Sequence, residues 1–151
     1  MLRQAFTDRL KEAMKAKDSR TISTVRMILA GLKERDVAAR GHGNAEGISE
    51  DEVRRMLQTM IKQRRESITL YEKGNRADLV QQEFEEIAVI ESFLPRQFNE
   101  GEIEAAAAAA IAEIGATKLS DMGKVIAMLR ERHAGAIDLG RAGAIVRRRL
   151  G

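Results

Sequence analysis

Ile87-Ala88-Val89-Ile90-Glu91-Ser92-Phe93-Leu94-Pro95-Arg96-Gln97-Phe98-Asn99-Glu100 is the stretch on which the fold turns, and it holds the only proline in 151 residues. Upstream, Leu79, Val80, Ile87, Ile90 and Leu94 return at helical spacing on one face. The segment from about Ala77 to Leu94 therefore reads as a helix that Pro95 stops. Downstream, Asn99-Glu100-Gly101-Glu102 opens another helix, with Ile103, Ala107, Ala110 and Ile114 on its inner line and Gly115 at its end. The chain divides into a subdomain at 1–94, a joint at 95–98 and a subdomain at 99–151.

Outward from the joint, helical spacing continues and no alternating β-branched run appears. Leu2, Phe6, Leu10 and Met14 draw one stripe; Ile22, Val25, Ile28, Leu29 and Leu32 draw a second, after a break at Lys17-Asp18-Ser19. Three glycines among residues 41–47 make a flexible loop. Ser49 and Glu52 then form a capping box, and the helix behind it runs to about Lys73 with Gly74 as terminator. A helix of that length predicts an elongated hairpin. Beyond residue 115, Ser120 or Asp121 starts one helix and Asp138 caps another, which keeps Leu139, Ala142, Val146 and Leu150 inward. The expected fold class is all-α: about four helices in an elongated N-terminal hairpin bundle, then a small C-terminal three-helix subdomain.

Aromatic residues are 3% of the chain, so the core has to be aliphatic. Cysteine is absent, which excludes disulfides and thiolate metal sites and fits a cytoplasmic protein. The N-terminal MLRQAFTDRLKEAM is a charged amphipathic segment and not a secretory signal. No apolar run reaches the roughly 18 residues of a membrane span.

The net charge of +3 is unevenly spread. Residues 1–40 carry +5, residues 78–104 carry −7 and residues 118–151 carry +5. Basic ends flanking an acidic band raise the question of a polyanionic partner. Arg26, Lys33 and Arg40 recur every seven residues; Arg55, Lys62, Arg65 and Lys73 line the third helix; Arg141, Arg147, Arg148 and Arg149 cluster in the last. Solvated helix faces look the same. With so few aromatics to stack on bases, backbone contact with a folded RNA is the nucleic-acid option that fits.

Catalytic patterns are missing. A P-loop needs a glycine five residues before Gly123-Lys124, and Lys118 stands there, with no Ser/Thr after the lysine and no strand before it. His42 and His133 are too far apart in sequence to suggest a metal pair, and His133 reads as a packing or capping residue at a helix end. Glu83, Glu85, Glu86 and Glu91 have no nucleophile or histidine beside them. No cofactor and no metal are called for. Arg64, between Met60 and Ile68, and Glu83, between Leu79 and Ile87, each place a charge inside an apolar stripe. Such charges need partners. An Arg64–Glu83 or Arg64–Glu86 ion pair is expected, with a recessed anion site as the alternative.

Several of these strings resemble a known family. The 87–98 stretch is similar to the "EIAVLEEYLPKQL" joint of the YqeY family, and Ser120-Asp121-Met122-Gly123-Lys124-Val125 to its "DMGKVM" motif. Lys62-Gln63-Arg64-Arg65-Glu66-Ser67-Ile68 resembles "KQRKDSI", Tyr71 to Leu79 resembles "FEKGGRxDL", and Thr24-Val25-Arg26-Met27-Ile28 resembles "xxRMxxA". One departure is Gly135-Ala136-Ile137-Asp138-Leu139-Gly140-Arg141, where the family often has a Gly-Arg-Ala-Asp-Gly-like turn. The resemblance implies the fold of the C-terminal tail of the B subunit of tRNA-dependent amidotransferase, which holds tRNA while chemistry proceeds elsewhere.

The expectation is a tRNA-binding accessory module, non-catalytic on its own and related to a glutamine-dependent amidotransferase. Translation-related proteins are further candidate partners, no membrane is involved, and a monomer is favoured. Candidate RNA contacts are Lys118, Lys124, Arg141, Arg148, Arg65 and Lys62. The alternatives are a helical protein-interaction module without RNA affinity and a part of a carbon–nitrogen ligase assembly.

Overall fold

The structure, a computed structural model, describes residues 1–151. Seven α-helices follow one another: α1 (Leu2–Ala16), α2 (Ser19–Gly41), α3 (Glu50–Lys73), α4 (Ala77–Glu91), α5 (Glu100–Ile114), α6 (Met122–Arg132) and α7 (Leu139–Leu150). A 3₁₀ turn, Leu119–Asp121, leads into α6. No strand occurs, so the chain is all-α. It separates into unit 1, Met1–Leu94, and unit 2, Pro95–Gly151, each with its own core.

Local chemistry sets the breaks. Lys17 takes a left-handed conformation (φ 57°) after α1, and the Asp18 carboxylate accepts from the Thr21 amide at 3.2 Å to cap α2. Ser49 and Glu52 complete a capping box on α3, and Asn99 and Glu102 complete another on α5. Gly74 follows α3, but the left-handed residue is its neighbour Asn75, at φ 56°. α4 stops at Glu91 rather than Leu94, since proline disfavours helical backbone in the residue before it. Residues 92–94 form a turn instead, with Phe93 and Leu94 amides bonded to Ile90 and Glu91 carbonyls.

Unit 1 is built from two helical hairpins, α1 on α2 and α3 on α4, with α2 also packing on α4. Phe6, Val25, Ile28, Val53, Leu57 and Ile90 are fully buried there. Each such side chain contributes about 1.5–3 kcal/mol of burial. Phe93 stands edge-on to Phe6 at 4.8 Å, and the Arg9 guanidinium lies 4.7 Å from the Phe93 ring centre.

The 42–49 loop is not free. Arg3 donates to both oxygens of buried Asp36 (2.6 and 2.9 Å) and to the Ile48 carbonyl, while the Ile48 amide donates back to Asp36 at 2.9 Å. Gly47 sits beneath, at φ +86°, where a Cβ would lie 2.3 Å from Asp36 Oδ1. Gly43 and Gly47, both at positive φ, give this loop its bends, and a buried carboxylate fixes the second.

Unit 2 is a three-helix cluster closed around Ile103, Ala107, Val125, Leu129, Ala142 and Val146. The alanines of α5 allow close approach: Ala107 and Ala110 are buried, while Ala105 and Ala109 face outward. The ring of His133, just past the end of α6, is 4.9 Å from Phe98.

Candidate nucleic-acid interface

Asp121 organises the turn that carries two of the candidate cations. It gives α6 no side-chain cap. Its carboxylate turns back instead and accepts from the Thr117 and Lys118 amides, at 3.1 and 3.2 Å. Those two hydrogen bonds, with help from the Lys124 and Lys118 charges, hold its pKa below the usual aspartate value. The carboxylate is therefore ionised and committed to the backbone. Lys118 and Lys124 lie on either side of it, both exposed and both without a salt bridge. Gly123 between them is exposed, and a Cβ there would meet nothing within 4 Å.

α7 presents the rest. Asp138 accepts from the Gly140 and Arg141 amides, at 2.9 and 3.1 Å, and starts the helix. Burial of Ala142, Ile145 and Val146 turns Arg141, Arg147, Arg148 and Arg149 outward. Arg148 lies 3.7 Å from Glu104 of α5. The last-turn arginines face the negative end of the helix dipole, which suits them structurally. Arg141, in the first turn, has no such reason to be there and no ion pair.

Residues 118–151 hold eight basic side chains, of which only Arg132 (with Glu113) and Arg148 enter ion pairs. Of the three acids in this stretch, Asp121 is taken by amides of its own turn and Asp138 by its cap, and Glu131 is exposed with no ion pair. The surface stays cationic because basic groups outnumber acids by eight to three and two of those three acids are spent on backbone. Arg130, exposed and unpaired on α6, belongs to the same set. Its signal in the sequence was its place one residue after Leu129, about 100° round the helix and so on the flank of the apolar stripe.

The unit 1 candidates divide. Lys62 is exposed and unpaired, whereas Arg65 is tied to Glu91 at 3.1 Å. Arg64 lies inside the unit. Its Nε donates to Glu86 Oε2 at 3.1 Å, its Nη1 to the Met60 carbonyl at 3.2 Å, and its Nη2 approaches Met27 Sδ at 3.6 Å. All three nitrogens have partners, and Glu86 already occupies the place a recessed anion would take. Arg20 and Gln82 also approach the Glu86 carboxylate, at 3.9 and 3.4 Å.

Glu83, one turn away, is left out. Its Oε2 is buried with no hydrogen-bond partner. Burial, then repulsion from Glu86, raises its pKa above the ordinary glutamate value. By helical spacing Glu83 lies within the stripe that Glu86, Ile87 and Ile90 form, so it is drawn inward while Glu86 takes the guanidinium.

Comparison with known proteins adds relatives to this geometry. The chain is 36% identical over 98 residues to "Altered inheritance of mitochondria protein 41, mitochondrial" of Lachancea thermotolerans, a match covering 64% of this chain and 50% of that protein. The proteins of the same name from Kluyveromyces lactis and Eremothecium gossypii are 32% and 33% identical, over 59% and 60% of this chain and 46% and 51% of theirs. The chain thus spans about half the length of the curated relatives it matches. Their names overturn the expectation of a cytoplasmic location, since the relatives are mitochondrial proteins. The expectation failed because a cysteine-free chain forms no disulfide in any compartment, so composition never distinguished one from another. The model of the family described as "Yqey-like protein" matches residues 3–150, nearly end to end, and the chain therefore belongs to the YqeY family.

Proposed function

We propose that this chain is an accessory module that binds folded RNA, tRNA being the class in question, through phosphate groups and without catalysing a reaction of its own. The observation that carries the proposal is the set of cations in unit 2 with no structural employment: Lys118 and Lys124 around the Asp121 turn, and Arg141 at the start of α7. Unpaired cations have no internal ion pair to break before they meet an anion, although each long side chain gives up rotamer freedom in doing so. The gain on binding comes from counterions released from the nucleic acid. Phosphate contact of this kind asks for no stacking platform, which suits a surface without exposed aromatics in unit 2. The family resemblance to the tail of an amidotransferase subunit supports tRNA over other RNAs. An association with carbon–nitrogen ligase chemistry rests on that resemblance alone.

The test is a titration of the full chain with total tRNA at low and moderate salt. Alanine at Lys118, Lys124 and Arg141 together is expected to weaken binding at least tenfold at low salt and to flatten the salt dependence. The exposed positions leave the fold intact, which the thermal melt checks. Wild-type protein that does not bind at low salt, or a triple variant that binds as well as wild type, overturns the proposal.

A further inference from the structure

The outer face of α2 carries a pattern that the RNA proposal does not use. Three lines of side chains run along it, each repeating at seven residues. Arg26, Lys33 and Arg40 form the first; Ser23, Ala30 and Val37 the second; Met27 and Glu34 the third. All eight residues are exposed. Val37 is 57% accessible and Met27 40%, on a helix whose opposite side is the core of unit 1. Arg26, Lys33 and Arg40 form no salt bridge with any carboxylate of the chain; Arg40 only steadies the following loop, its Nε donating to the Ala45 carbonyl at 3.2 Å.

A surface made for a nucleic-acid backbone would be basic throughout. A duplex presents a charge about every 1.7 Å of its axis and asks for neither a seven-residue repeat nor an apolar line. Here an apolar line, Ala30 and Val37, runs between a cationic flank and Glu34, whose charge would repel phosphate. Met27, Ala30 and Val37 make a short exposed apolar strip beside the cations, and an apolar strip flanked by charge is what the apolar face of an amphipathic helix packs against. The cationic flank names the charge of the partner. A second copy paired through the same face fits poorly, because α2 against α2 sets cations near cations.

We propose that the Arg26–Arg40 face of α2 docks an amphipathic helix of another protein, one with an apolar seam against Ala30 and Val37 and glutamates or aspartates against Arg26, Lys33 and Arg40. From Ser23 to Arg40 the face is about 26 Å long, enough for roughly two and a half heptads.

The probe is a synthetic helical peptide of about three heptads, with leucine along its seam and glutamate on both flanks, so that its own charge keeps it from self-pairing. Binding to the full chain is read by titration calorimetry. A peptide of identical composition in scrambled order and polyglutamate serve as controls. The ordered peptide is expected to bind, and the controls at least tenfold more weakly. Replacing Arg26, Lys33 and Arg40 together by glutamate turns three surface attractions into repulsions, which lowers the affinity by about tenfold or more. Val37→Asp, which changes no cation, lowers it several-fold. Equal binding of the scrambled peptide or of polyglutamate, full affinity in Val37→Asp, no binding of the ordered peptide, or its displacement by tRNA would each overturn the proposal. Melting curves of both variants confirm that exposed substitutions leave unit 1 folded. The Lys118, Lys124 and Arg141 variants test the RNA reading separately, since they leave α2 untouched.

Discussion

Asp36 and Glu83 are two carboxylates drawn into unit 1, and their surroundings push them in opposite directions. Hydrogen bonds from Arg3 come first for Asp36 and, aided by the Ile48 amide, outweigh burial and lower its pKa to about 2. The folded state then binds its proton more weakly than the unfolded chain. The stabilisation is complete above the ordinary value of 3.8 and is lost as pH falls from there towards 2. Asp36→Asn is expected to cost about 2 kcal/mol at neutral pH, below the range for fully buried pairs because Arg3 is partly solvated. Urea unfolding at pH 7 measures it. Gly47→Ala attacks the same latch from the other side, by forcing a Cβ into the Asp36 carboxylate on left-handed backbone. Glu83 behaves the other way. Its pKa is raised, so its ionised form burdens the fold, with no burden below the ordinary 4.5 and the whole of it above the raised value. Glu83→Gln is expected to stabilise unit 1 at pH 7, by less than about 1 kcal/mol because the side chain is partly solvated and Arg64 offsets part of the burden, and to change little near pH 4. Melts at the two pH values check it; a variant no more stable at pH 7 contradicts the account. The sequence announced Arg64 and a glutamate partner, because a charge within an apolar stripe is visible in spacing. It hid Arg3–Asp36, because each of those side chains reads as an ordinary helix-surface charge until the chain folds back.

Helices were legible from their stripes, and their ends from their caps where a side chain does the capping. Ser49 with Glu52, Asn99 with Glu102 and Asp138 were all readable in this way. The end of α4 was not, because Leu94 continues the stripe while Pro95 forbids the backbone that would place it there. The start of α6 was blurred by a 3₁₀ turn that pairs Asp121 with amides behind it rather than ahead. The Asn99 cap gives an element-scale prediction. Asn99→Ala removes the acceptor for the Glu102 amide, and Glu102 is itself clamped by Arg96 at 3.0 and 2.6 Å. The loss is expected to be about 1 kcal/mol, with faster amide exchange in the first turn of α5. An unaltered exchange rate there would show that the Arg96 clamp alone holds the turn.

At the scale of the molecule, the division near Pro95 and the all-helical class could be read from one proline and one periodicity. Partner chemistry could be read only as far as charge. Sequence gives the number of cations; only the fold tells which are spent. Arg65 and Arg148 looked equivalent to Lys62 and Lys118 in the sequence, yet the first two have carboxylates beside them and the second two do not. This distinction yields a prediction for RNA binding. Removing Lys118 and Lys124 together is expected to reduce the log–log salt slope by about 2, and removing Arg65 by much less. Binding measured at four or more salt concentrations separates the two.

The helices of unit 1 mostly meet their chain neighbours, α1 with α2 and α3 with α4, and those of unit 2 meet one another within Pro95–Gly151. Most of these contacts join neighbouring helices, α2 on α4 and Phe6 on Phe93 being among the distant ones, and helical domains of this kind fold in microseconds to milliseconds. A ribosome adds about 5–20 residues per second, so the 57 residues from Pro95 to Gly151 take it roughly 3–11 seconds. Once Leu94 has cleared the exit tunnel, unit 1 therefore needs far less time to fold than the ribosome needs to deliver the rest of unit 2.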